Sequence, residues 1–147
     1  MNTFKRNAAV VLLAAALAAS SWADSARLVT IPISGEYWEP AAGGMLVYSG
    51  TVTLEWLADG SGTAGWPVRA TLVGQAWCKN TGAGYTLYGL TVDSLAGPQG
   101  AAAAVSQSIL AIGGNGRPAF NRDLSVSVTL GNSTIPPRVT EIAFVGR

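Results

Sequence analysis

The stretch "RDLSVSVTLG", residues 122 to 131, sets Leu124, Val126, Val128 and Leu130 on one parity and Ser125, Ser127 and Thr129 on the other. A period of two is the mark of a strand with one face on the core and one face in water. "GTVTLEWLADG" repeats it, with Val52, Leu54 and Trp56 opposite Thr51, Thr53 and Glu55. Further strands are predicted in "RLVTIPIS" from Arg27, "GMLVYS" from Gly44, "PVRATLVGQAWC" from Pro67, "GYTLYGLTV" from Gly84 and "RVTEIAFVG" from Arg138. Pro32 cannot donate to a ladder, so the first of these is an edge strand or breaks at the proline. Glycine-, proline- and asparagine-rich turns separate the segments. The pattern predicts an all-β domain of about seven strands, a small antiparallel sandwich or a partly open barrel.

Residues 101–112 read two ways. Alanines 101–104 permit a short helix near 101–108. Ile109 and Ala111, alternating with Ser108 and Leu110 and followed at once by glycines, favour a strand over 105–112.

The N-terminus is a different kind of sequence. Lys5 and Arg6 precede an apolar run from Ala8 to Ala19, and Ser21 and Ala23 occupy the small-residue positions of a cleavage site. This order predicts a signal peptide over 1–23 and a single β-rich domain over 24–147, placed outside the cytoplasm: secreted, periplasmic or on the cell surface. The apolar run falls short of the roughly 20 residues that a spanning helix needs, so no membrane span is expected after cleavage. Residues 24–147 carry one lysine and six arginines against eight carboxylates. No basic tract is present to engage a phosphate backbone, which argues against nucleic acid as a partner. Charged residues make up 12% of the chain, about half the usual share. Weak charge repulsion permits self-association.

Chemistry is constrained by what is missing. The sequence contains no histidine and one cysteine. Histidine-dependent triads, the common catalytic zinc sets and thiolate cages are therefore excluded, and neither a catalytic residue, a cofactor nor a metal site is predicted. Glu36, Glu39, Glu55 and Asp59 read as surface carboxylates near turns. A carboxylate-dependent hydrolase would need two such groups facing each other at about 5–9 Å, a pairing that sequence does not place.

Cys78 shares parity with Ala70, Leu72, Gly74 and Ala76, on a small apolar face. That phase favours a core position, where free cysteine acts as a small hydrophobe. An odd cysteine in an exported chain leaves an intermolecular disulfide as a second reading and a reactive thiol as a third. Trp56 follows the core phase of its strand. Tyr37, Trp38, Trp66 and Tyr85 fall at strand ends or loops and are the candidate contacts for a ligand or partner.

Three functions follow. The first is an exported non-enzymatic structural or adhesive subunit that self-associates or joins another surface protein through its extended N-terminal strand. The second is a carbohydrate- or small-ligand-binding module built on loop aromatics, and the third is the hydrolase.

Overall fold

The computed structural model describes residues 11–12, 28–57, 65–131 and 137–145. Its elements are β1 (Val11–Leu12), β2 (Leu28–Glu39), a 3-10 turn (Pro40–Ala42), β3 (Gly44–Trp56), β4 (Trp66–Cys78), β5 (Gly84–Leu95), β6 (Ala102–Gly113), β7 (Pro118–Thr129) and β8 (Arg138–Val145). The seven long strands form one antiparallel sheet in which each pairs with its neighbour in sequence. The sheet curls into a half-barrel. β2 lies at one end of the order, and the two-residue β1 pairs with β8 at the other.

Alternation explains the curl and the core together. The inward positions of β3 are Leu46, Tyr48, Val52, Leu54 and Trp56, and those of β4 include Val68, Ala70, Leu72, Ala76 and Cys78, all buried. β7 contributes Leu124, Val126 and Val128, and β8 contributes Val139, Ile142 and Phe144. Two inward glycines let the sheet bend. Gly50 pairs with Gly74 across β3 and β4. A Cβ on Gly50 would lie 2.7 Å from the Val73 carbonyl oxygen, and one on Gly74 would lie 2.6 Å from that of Ser49. The backbones pass too closely there for any side chain.

The partly open barrel is thus the arrangement formed. "GMLVYS" and "GTVTLEW" fuse into the single strand β3, because Gly50 keeps the inward parity of Tyr48 and Val52 and marks a bend in place of a turn. β6 begins at Ala102, so residues 102–108 are strand and the helical alternative is not taken. The chain pairs there with β7, from Ala102 opposite Thr129 onward, and that pairing outweighs the helical propensity of the alanines. β2 runs through Pro32 without a break, as an edge strand can, since among the described residues β2 pairs with β3 alone.

β5 and β6 pair over only five positions, Tyr85–Gly89 with Gly113–Ile109, and then part. Gln107 lies close to the parting point and is fully buried. Its Nε2 donates to the Ala70 carbonyl oxygen at 2.8 Å, which ties β6 to β4 through the interior. Across the other side, the rings of Tyr37, Tyr48 and Phe144 stack and cross at 4.8–5.9 Å, joining β2 and β3 to β8. Trp56 and Trp66 meet edge to face at 6.1 Å.

Glu39 departs from its sequence reading. It is fully buried, and its Oε1 accepts from the Ala41 N–H at 2.9 Å and from the Arg122 guanidinium of β7. The 3-10 turn needs an acceptor at its start, and Gly43 closes it in the left-handed conformation with φ 72°. Glu39 therefore caps the turn and anchors it to β7.

Candidate functional site

Most outward positions are polar: Thr51, Thr53 and Glu55 on β3, Thr71 and Gln75 on β4, Ser125 and Ser127 on β7. Exposed ion pairs cross this surface, Arg69 with Glu55 at 2.8 Å and Lys79 with Glu36. Leu28 and Trp38 on β2, Trp77 on β4 and Val145 on β8 are scattered exceptions, and one group of exceptions is contiguous. Val73, Tyr88, Leu90 and Val92 are outward side chains of β4 and β5, each 50–63% exposed. Val73 stands directly opposite Tyr88, and Leu90 and Val92 continue the same face of β5 at a spacing of two. Large apolar side chains occur singly on any surface, but a contiguous group marks a contact surface.

Beside this patch, where β4 and β5 approach their shared turn, lies an open cleft of about 890 Å³. The outward residues Ser49, Gln75, Trp77 and Thr86 line it from three adjacent strands, and Asn115 and Arg117 of the β6–β7 turn complete its rim. The turn between β6 and β7 is fixed by its own hydrogen bonds: Gly113 N–H donates to the Arg117 carbonyl at 2.9 Å, and Arg117 N–H donates to Asn115 Oδ1 at 3.0 Å. Tyr85 is held by an edge-on contact with Phe120, centroids 5.2 Å apart. Trp77 is 49% exposed. Among the described lining residues there is no carboxylate, and Arg117 makes no ion pair with a described residue.

The four aromatic residues singled out from sequence are dispersed. Tyr37 and Trp66 are buried in the core, Trp38 is exposed on edge strand β2, and Tyr85 lies on the inner parity of β5, partly buried against the core beside Phe120. Trp77 is the aromatic that sequence reasoning passed over. It lies off the core parity of β4, which was the available signal. Burial raises the ionisation of Tyr37 well above the ordinary range, with the neighbouring Glu39 charge adding to it, and burial likewise raises that of Tyr48.

Cys78 has no exposed surface, and its Sγ lies 3.5 Å from the Ala42 carbonyl oxygen. A hydrogen bond from the Thr81 side chain lowers its pKa, against the effect of burial. A low pKa alone does not make a reactive thiol. Partners must also reach it, and a bridge to a second chain would first require local opening.

Among the described residues no group of three or more histidine, cysteine, aspartate or glutamate side chains is placed to hold a metal ion. No helix among them is long and apolar enough to cross a membrane. Asp59 lies outside the described residues. The chain matches no protein-family model, no curated protein and no solved structure.

Proposed function

We propose that the protein is an exported, non-enzymatic structural or adhesive subunit that associates with further copies through the outer face of β4 and β5. The observation that carries this reading is the contiguous apolar group Val73, Tyr88, Leu90 and Val92 on the outer face of the sheet. The low charge content and the N-terminal export pattern agree with it. β2, the N-terminal edge strand, supplies a second contact through the side of its backbone that does not face β3.

Magnitudes decide what kind of association this is. Full burial of such side chains stabilises by roughly 1.5–3 kcal/mol each. Being about half exposed, the four have about half of that still to gain, roughly 3–6 kcal/mol together. Association costs at least about 4 kcal/mol in lost freedom. A patch-to-patch contact buries two such groups, roughly 6–12 kcal/mol in all, against a cost of roughly 4–15 kcal/mol; it is marginal alone, and patch and edge acting together in a repeating array make it stable. The test is sedimentation velocity on the wild type and on Tyr88→Ser/Leu90→Asp, two outward changes that leave the core intact. The reading predicts association in the wild type and its loss in the variant, with unchanged circular dichroism. Equal association in both would assign it to another surface.

A further inference from the structure

We propose that the cleft between the β4–β5 end and the β6–β7 turn is a binding site for glycans that carry carboxylate sugars. This goes beyond the assembly reading and stands on different residues, so either can fail alone.

At about 890 Å³ the cleft falls within the range of ligand sites, roughly 300–1,000 Å³. It is open and mixed in character. A closed apolar cavity would suit an aliphatic ligand, whereas an open trough with an exposed ring and hydrogen-bonding groups suits a sugar chain. Trp77, half exposed on the outer face, offers an aromatic surface to the C–H side of a pyranose. The Gln75 amide and the Thr86 hydroxyl supply both donors and acceptors from neighbouring strands. Asn115 Oδ1 is already engaged by the turn, which leaves its amide N–H groups to donate outward.

Charge then narrows the sugar. Arg117 is the single cation of the described lining, no carboxylate faces it there, and it makes no ion pair with a described residue. Arg69, Lys79 and Arg122 each have a glutamate partner, Glu55, Glu36 and Glu39 respectively. An exposed guanidinium whose backbone is fixed by a hydrogen-bonded turn, lining the same cleft as the Trp77 indole, favours a planar anion, and a sugar carboxylate satisfies it in a two-pronged geometry. Strands carry Gln75, Trp77 and Thr86, so little ordering is needed on binding.

The test is isothermal titration calorimetry, with tryptophan fluorescence in parallel, on the purified protein. The probes are tetragalacturonate, its fully methyl-esterified form, an oligoglucuronate and a sialylated trisaccharide. At least one acidic probe is expected to bind, with an affinity that falls as salt rises. Removing the charge, by esterification of a bound galacturonate or by Arg117→Gln, should weaken binding about tenfold. Trp77→Ala should abolish both the heat and the fluorescence change. Trp38→Ala, which removes an exposed indole elsewhere, should bind like the wild type. The proposal is overturned if no acidic probe binds at millimolar concentration. It is equally overturned if binding is unaffected by Arg117→Gln and by Trp77→Ala, which would place the sugar elsewhere.

Discussion

Replacing Arg122 with methionine removes the cationic partner of a buried carboxylate. Glu39 has 0% exposed surface, its Oε1 is engaged by the Ala41 N–H and the guanidinium, and its Oε2 has no hydrogen-bond partner. Deleting one member of a buried pair leaves an uncompensated charge and costs about 3–5 kcal/mol. The Arg122 side chain is 22% exposed, so water reaches one side of the pair and the lower part of that range, about 3 kcal/mol, is the expected loss. Against a total stability of roughly 5–15 kcal/mol, that is a fifth or more of the whole. For a domain of this size it corresponds to a fall in Tm of about 10–15 °C.

The assay is urea unfolding followed by the fluorescence of the buried Trp56 and Trp66, comparing midpoints at unchanged slope. The double variant Glu39→Gln/Arg122→Met should recover most of the loss, because a neutral amide still accepts from Ala41 and no longer strands a charge. A loss below about 1 kcal/mol in the single variant, or a double variant no better than the single, would refute the reasoning.

Other predictions follow from the same packing. Gly74→Ala places a methyl 2.6 Å from the Ser49 carbonyl oxygen and should cost about 1–3 kcal/mol by overpacking, read as a lower urea midpoint. The raised ionisation of Tyr37 and Tyr48 means that their stabilising contribution is present below the ordinary tyrosine pKa of about 10. It is lost as pH rises above that, since the unfolded chain releases its phenolic protons first. Stability measured at pH 8 and pH 11 should therefore fall with pH, and Tyr37→Phe should flatten the fall; an unchanged slope would contradict the assignment. Cys78 should react with a water-soluble disulfide reagent only under unfolding conditions, because Sγ has no exposed surface. Rapid labelling of the folded protein would show that the thiol is reached from solvent.

Much of the sheet was legible because it depends on alternation. The inward sets of β3, β4 and β7 could be read directly, since each strand buries one face and wets the other. Boundaries were harder. Gly50 resembles a turn residue, and only its pairing with Gly74 on a distant strand reveals a bend within one strand. The alanines of β6 favour helix locally, and the partner that overrides them, β7, is remote in sequence.

The site was less visible still. Glu39 looks like any carboxylate before a proline, and nothing nearby announces Arg122, 83 residues on, as its partner. Tyr37 and Trp66 sit where strands meet turns, yet the curl brings Phe144 against one and Trp56 against the other. The patch did leave a trace. Leu87 faces inward while Tyr88, Leu90 and Val92 face outward, so β5 is apolar on both parities, which a strand with one wet face has no need to be.

The central claim, assembly through the outer face of β4 and β5, is tested most directly by molar mass. Multi-angle light scattering after size exclusion would be recorded over a wide range of loading concentrations, with and without reductant. The account predicts a mass that rises with concentration, is indifferent to reductant because Cys78 stays buried, and returns to the monomer value in Tyr88→Ser/Leu90→Asp. A monomer mass for the wild type at every concentration would contradict it.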